Sequence, residues 1–299
     1  MKTDFCSKST PRFGGKSPFF AHKIFLIVFT WLFTLGDALA QNMFWEVKGL
    51  GQNVLIVHGF PGNAGDWNGV FQELSQKNDK VFLPHLLGFG NSSKPVDFDD
   101  LWVDSQARSI LDYLQKEGVE DVSLVAHDYG CPIAIVLYDS DPRRFKRLVL
   151  SSCAVSPNVE LPFLMRLTKL PLLGNWFESM IFSRSGINTL RENSVSSQSV
   201  LPRENTDEEL RSLRTVFATV LKDMYRFYAP IEAKARSIEA PVSLIWGDGD
   251  EFFDKKHAQG TLSLFKKGNL EFVKDSMHFP FLEKQAAYVD ALEKVLKKD

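Results

Sequence analysis

Short apolar runs alternate with amphipathic stretches along the chain. Val54-Leu55-Ile56-Val57, Val81-Phe82-Leu83 and Val122-Ser123-Leu124-Val125 are the first three runs, and each is followed by His, Gly or Pro within a few residues. Arg147 to Ser152, Pro241 to Trp246 and Asn269 to Val273 continue the series. Unbroken Val/Leu/Ile runs of this length predict strands covered on both faces, the habit of parallel sheets. Phe44 to Lys48 leaves room for one more strand at the amino end of this pattern. Between the runs the period changes. Ile110, Leu111 and Leu114 fall on one face of a helix predicted over Leu101 to Lys116, and Gly118 ends it. A last helix is predicted from Glu283 to Lys297. Strand, loop and helix repeating in this order predict an α/β fold with a mostly parallel sheet flanked by helices.

The strand pattern stops between Val155 and Ala235. Helical periodicity, Pro and Gly breaks and a Ser-rich stretch from Asn193 to Ser199 replace it, and Thr206-Asp207-Glu208-Glu209 has the form of a helix start. The expected organisation is a core built from residues 41–154 and 236–299, interrupted by a helical cap over residues 155–235.

The candidate chemistry sits where runs end. Ala126-His127-Asp128-Tyr129-Gly130 lies between the run at Val122 and a second apolar stretch, Ile133 to Leu137. Small-x-nucleophile-x-small at a strand-to-helix junction resembles the nucleophile elbow of α/β-hydrolases, with aspartate at the centre instead of serine. A carboxylate nucleophile attacks carbon and leaves an ester on the enzyme, which water must open. Upstream, His58-Gly59-Phe60-Pro61-Gly62 turns sharply after a strand. In hydrolases of this fold that turn and the residue after the nucleophile supply the oxyanion-binding N–H groups, here those of Phe60 and Tyr129. The same loops make His58, Pro61 and His127 candidates for the substrate pocket. Downstream, Gly247-Asp248-Gly249-Asp250 closes a strand, and its G-x-x-D spacing favours Asp250 over Asp248 as the acid that orients a histidine. His278 follows the last strand on a loop. Nucleophile, acid and histidine then stand in α/β-hydrolase order, giving the candidate catalytic set Asp128, Asp250 and His278.

His58-Gly59-Phe60-Pro61, Leu87-Gly88-Phe89-Gly90 with Ser93-Lys94-Pro95, and His127-Asp128-Tyr129-Gly130 resemble the epoxide hydrolase and haloalkane dehalogenase branch of the α/β-hydrolases. The resemblance spans roughly residues 45 to 295 and implies hydrolysis of an apolar small molecule by way of an aspartyl ester. Epoxide hydrolases protonate the leaving oxygen with two cap tyrosines. Asp223-Met224-Tyr225-Arg226 resembles the segment carrying one of them, so Tyr225 is the candidate ring-opening acid. No tyrosine lies between Val155 and Met224 to serve as the second, and Tyr228, three residues on, does not match the family's position. Dehalogenases of the branch carry tryptophan after the nucleophile, where this chain has Tyr129. A dehalogenase-like hydrolase stays open as an alternative. So does a catalytically silent fold serving as an interaction protein at the endoplasmic reticulum membrane.

Composition changes this picture little. Hydrophobic residues make up 44% and charged residues 24% of 299 residues, as in folded globular proteins, and 25 of the residues are phenylalanine. A net charge of −2 offers no footprint for nucleic acid. The expected partners are an apolar substrate and water, and the chemistry calls for no metal or organic cofactor. Three cysteines, Cys6, Cys131 and Cys153, make no disulfide framework, and Cys131 is expected to pack at a helix start.

The amino terminus reads differently. Five basic residues from Lys2 to Lys23 precede an uncharged apolar run, Ile24 to Leu35, and Ala38-Leu39-Ala40 offers a small-x-small cleavage site. Residues 1–40 are therefore expected to be a secretory signal peptide, or an uncleaved signal-anchor that associates the chain with the membrane. The expected location is the secretory pathway: the endoplasmic reticulum, or outside the cell if the chain is cut after Ala40.

Overall fold

The computed structural model describes residue 1 and residues 42–95, 97–160 and 163–297. Apart from Met1, the expected signal segment 1–40 lies outside the described residues. Residues Gln41–Asp299 form one compact unit. Among the described residues no helix is long and apolar enough to cross a membrane.

Seven strands form one sheet. They are β1 Phe44–Lys48, β2 Gln52–Val57, β3 Asp79–His85, β4 Val122–His127, β5 Phe145–Ser151, β6 Val242–Gly247 and β7 Gly268–Val273. Their spatial order is β1-β3-β2-β4-β5-β6-β7. Only the edge pair, β1 with β3, is antiparallel, and the remaining pairs are parallel. The unbroken apolar runs become the middle strands because helices cover both faces. Along β2, Leu55 and Val57 pack into one core layer while Val54 and Ile56 pack into the other. Burying each such side chain contributes roughly 1.5–3 kcal/mol, so a strand polar on one side would be out of place here.

Helix α1 (Asn68–Gln76) covers one face with Val70, Phe71 and Leu74. On the other face lie α2 (Val103–Lys116) and α3 (Gly130–Ser140), which bring Ile110, Leu114, Ile133 and Leu137 to the core. The predicted start of α2 at Leu101 gives way to a separate helical turn, Phe98–Leu101, with the break at Trp102. Gly118 follows α2 with φ of 62°, as its role as a stop requires.

Between β5 and β6 the described residues form five helices: α4 Phe163–Leu167, α5 Gly174–Ile181, α6 Arg184–Glu192, α7 Asp207–Lys222 and α8 Met224–Ser237. Thr206 caps α7 through a reciprocal pair: its hydroxyl accepts from the Glu209 N–H, and the Glu209 carboxylate accepts from the Thr206 N–H. Helices α9 (Lys255–Leu262) and α10 (Gln285–Leu296) complete the layers, α10 packing beside α1 through Tyr288, Val289 and Leu292.

Candidate active site

Strand β4 ends in a tight bend. Asp128 has φ of 48°, in the left-handed region, and α3 begins two residues later. The bend is held by the Asp128 N–H donating to the Ser151 carbonyl at 3.1 Å and by the Cys131 N–H donating to the Asp128 carbonyl at 3.0 Å. Backbones cross here with no room for side chains. A Cβ on Gly130 would run into the Val57 carbonyl, and one on Gly59 would meet the Asp128 Cβ at 2.6 Å. That close approach carries the His58-Gly59-Phe60 turn onto the elbow. The Phe60 N–H then donates to Asp128 Oδ1 at 2.9 Å.

Two further strand ends bring the partners. Past β6, Asp250 is buried, and its Oδ1 accepts from the N–H groups of Phe252 (2.9 Å) and Phe253 (3.0 Å). Its Oδ2 accepts from His278 Nδ1 at 3.2 Å. Asp248 instead lies 3.9 Å from the Lys255 ammonium, away from the imidazole's partner. His278 follows β7, and its own N–H donates to the Ser194 carbonyl at 3.1 Å. Its Nε2 stands 3.7 Å from Asp128 Oδ2. Thus one carboxylate oxygen rests on the Phe60 N–H while the other faces the imidazole across a gap that water can bridge.

Burial raises the Asp128 carboxyl above its ordinary range, against the pull of the His278 charge and the Phe60 and Tyr129 N–H groups. Burial acts to lower His278, but the Asp250 charge and hydrogen bond, with Asp128 behind them, outweigh it and raise the imidazole. The pair is poised so that a proton on His278 is held from both sides.

An apolar cavity opens on Asp128 and His278. Asp128, Tyr129, Tyr228 and His278 supply the polar side chains of its wall, and the rest is apolar. Pro61 lines it, as do Phe60, Phe252 and Phe253 from the loops and Phe182, Phe217 and Met224 from the inserted helices.

Three expectations about side chains need correction. Tyr225 is 72% exposed and outside the cavity wall. The apolar stripe of α8, Met224, Phe227 and Ile231, turns Tyr228 inward and Tyr225 to solvent. Burial raises the Tyr228 phenol well above its ordinary value, and its hydroxyl has no hydrogen-bond partner among the described residues. His58 and His127 lie behind the loops, not in the pocket. His58 Nε2 accepts from the Leu86 N–H at 3.1 Å, and burial holds its pKa down at about 3. His127, packed among Trp67, Phe279 and Phe281, donates from Nε2 to the His278 carbonyl at 2.9 Å and is kept neutral by burial. Both are neutral struts for the loops that carry Phe60 and His278. Finally, Cys131 and Cys153 form a disulfide, their Cα atoms 6.2 Å apart. The neighbouring ends of β4 and β5 bring them together, a pairing that a count of three cysteines did not suggest. Reading the stripe of α8 residue by residue would have singled out Tyr228. The disulfide has no comparable signal, since it depends on strand neighbours.

Residues 52–285 match the α/β hydrolase fold family, and the chain belongs to it. It is 27% identical to an uncharacterized protein of Mycobacterium bovis over 84% of this chain and 77% of that protein. It is 23% identical to human epoxide hydrolase 4 over 70% of this chain and 62% of the relative. Among solved structures it resembles the 2-hydroxy-6-oxo-6-phenylhexa-2,4-dienoate hydrolase of a Rhodococcus strain, with a TM-score of 0.70 and 18% identity, covering 87% of this chain and 100% of that one.

Proposed function

We propose that the protein is an epoxide hydrolase-like enzyme that works through an ester on Asp128 and acts on an apolar small molecule. One observation carries the reading: Asp128 has one oxygen seated on the Phe60 N–H and the other turned to His278 and the cavity. An oxyanion site filled by the nucleophile's own oxygen suits a two-step reaction in which the acyl carbon is Asp128 Cγ.

Asp128 Oδ2 attacks a ring carbon, the ring C–O bond breaks, and the freed oxygen takes a proton from Tyr228. Water then gives a proton to His278 Nε2 while its oxygen adds to Asp128 Cγ. Negative charge gathers on Oδ1, where the Phe60 N–H already points and the Tyr129 N–H is the second expected donor; such donors are typically worth about 3 kcal/mol each. Collapse breaks the Cγ–Oδ2 bond, the departing alkoxide takes the His278 proton, and the remaining carboxyl proton returns to Tyr228. Asp250 keeps the proton of neutral His278 on Nδ1 and stabilises the imidazolium.

The dehalogenase-like alternative has weaker support, because the Tyr129 hydroxyl is committed to the Leu101 carbonyl at 3.1 Å and no tryptophan among the described residues lines the cavity. The silent-fold alternative has no observation in its favour: the three side chains converge and a cavity reaches them. Within the family, His127-Asp128-Tyr129-Gly130 and Phe182-Ser183-Arg184 resemble the mesoderm-specific transcript protein. That resemblance and the basic start before Ile24 to Leu35 support the endoplasmic reticulum as the site of action, with the helices between β5 and β6 acting as a cap. The test is a panel of apolar epoxides given to the wild type and to Asp128→Ala. Diol formation lost completely in the variant supports the reading; diol formation surviving in it overturns the reading.

A further inference from the structure

The cap carries an apolar surface that its own packing does not use. Six of the eleven exposed large hydrophobic side chains among the described residues fall between Phe163 and Met180. Phe163 is 67% exposed, Trp176 62% and Leu172 fully so, with Leu170, Leu173 and Met180 beside them in the chain. Isolated exposed leucines are ordinary, but a cluster on one helical arm marks an interaction surface. The charge of the arm is as distinctive as its hydrophobicity. In a chain of net charge −2, residues 163–177 hold two cations, Arg166 and Lys169, and no carboxylate. Neither cation has an ion-pair partner among the described residues, and the Arg166 guanidinium lies 5.9 Å from the centre of the Phe163 ring. The first carboxylate after them, Glu178, faces Arg214 at 3.7 Å on α7.

A groove runs from this arm toward the site. Phe163, Met180 and Ile181 line it together with Thr189 and Asn193 of the next helix region. Met165, Leu190 and Phe252 belong to both the groove and the catalytic cavity. Three side chains, one of them a flexible thioether, are therefore a shared wall between the surface groove and the space above Asp128.

We infer that the α4–α5 arm docks on a lipid bilayer bearing anionic headgroups. Its Leu, Phe and Trp side chains enter the interface and Arg166 and Lys169 meet the headgroups, and the groove passes an apolar chain of the substrate across the Met165, Leu190 and Phe252 wall to the cavity. Cations beside exposed leucines and tryptophan match the chemistry of an anionic interface better than that of a neutral one. The delivery half rests on the Asp128 reading given above, whereas the docking half does not.

Two measurements on the full chain separate these halves. The first follows Trp176 as the difference in emission between the wild type and Trp176→Phe, mixed with vesicles whose acyl chains carry bromine. With phosphatidylcholine–phosphatidylserine vesicles the Trp176 component is quenched. It is quenched less with phosphatidylcholine alone, and not at all in Leu172→Asp/Leu173→Asp. A Trp176 component left unquenched while the chain binds the vesicles overturns docking through this arm, because another segment then holds the chain. A blue shift of the same component without lipid, tracking dimer formation, overturns it in favour of a second copy of the chain. The second measurement compares a short water-soluble epoxide with a long-chain epoxide embedded in the vesicles. The double aspartate variant keeps turnover of the first and loses about tenfold or more on the second. Equal turnover of the embedded substrate by both proteins overturns delivery through the groove. Failure of the wild type on both substrates counts against the Asp128 reading, and the quenching result still decides docking.

Discussion

The backbone N–H of Phe60 donates to Oδ1 of Asp128 at 2.9 Å. It reaches that oxygen because Gly59 lets its loop lie against the elbow, where a Cβ would strike the Asp128 side chain. A hydrogen bond from an amide to a carboxylate contributes about 1.5–3 kcal/mol, enough to fix which oxygen is the acyl oxygen and which the nucleophile. In the proposed reaction this contact exists before substrate arrives and strengthens when the tetrahedral intermediate forms.

The two tyrosines of α8 separate the structure from the sequence resemblance. Tyr228→Phe slows ester formation by about 10²- to 10⁴-fold, the range for a lost general acid, while Tyr225→Phe leaves it unchanged. Rapid-quench mass spectrometry of the first turnover reads both. The reverse ranking restores Tyr225 as the acid.

Asp250 acts through His278 and not on the substrate. Asp250→Asn leaves the first step near its wild-type rate and slows ester hydrolysis by about 10⁴-fold, as loss of the orienting acid does in a related triad. Burst kinetics with the ester followed by mass separate the steps. Equal slowing of both would mean that Asp250 supports the loop in general, through its bonds to Phe252 and Phe253, and not the imidazole in particular.

The pH dependence follows from opposite needs. Asp128 attacks when ionised, and burial has raised its pKa, so the first step is lost as pH falls through a value above the ordinary carboxylate range. His278 accepts a proton only when neutral, and in the ester the Asp250 charge and hydrogen bond still act to raise it against burial, so ester hydrolysis gains rate as pH rises and the imidazole loses its proton. Where Asp128 is ionised and His278 still holds its proton, ester formation proceeds while ester opening is slowed. Steady-state samples quenched on the acid side of neutrality therefore carry more ester than samples quenched well above it. A constant ester fraction across this range contradicts the assignment of His278 as base.

Much of the fold is legible in the sequence because the middle strands are covered on both faces. Leu148, Val149 and Leu150 have no polar alternation to confuse, and β1 through β7 fall within a few residues of the predicted runs. The convergence of Asp128, Asp250 and His278 is legible for a related reason: each sits just past the end of a strand in one parallel set. Side-chain direction is harder to read. His127 precedes Asp128, yet in the extended β4 neighbouring residues face opposite ways, so it enters the layer of Trp67 and Phe281 and not the cavity. Likeness to a relative's segment favours Tyr225, but the stripe through Met224 and Ile231 decides which tyrosine faces inward. The Cys131–Cys153 bond depends on strand adjacency, which no local pattern records.

The central claim is that Asp128 carries the substrate as an ester until His278 activates water. Intact-mass analysis of His278→Gln, after incubation with an epoxide that the wild type consumes, tests it most directly. The account predicts a stable gain of one substrate mass, located by peptide mapping on Asp128. Complete absence of that adduct, or its appearance on another residue, contradicts it.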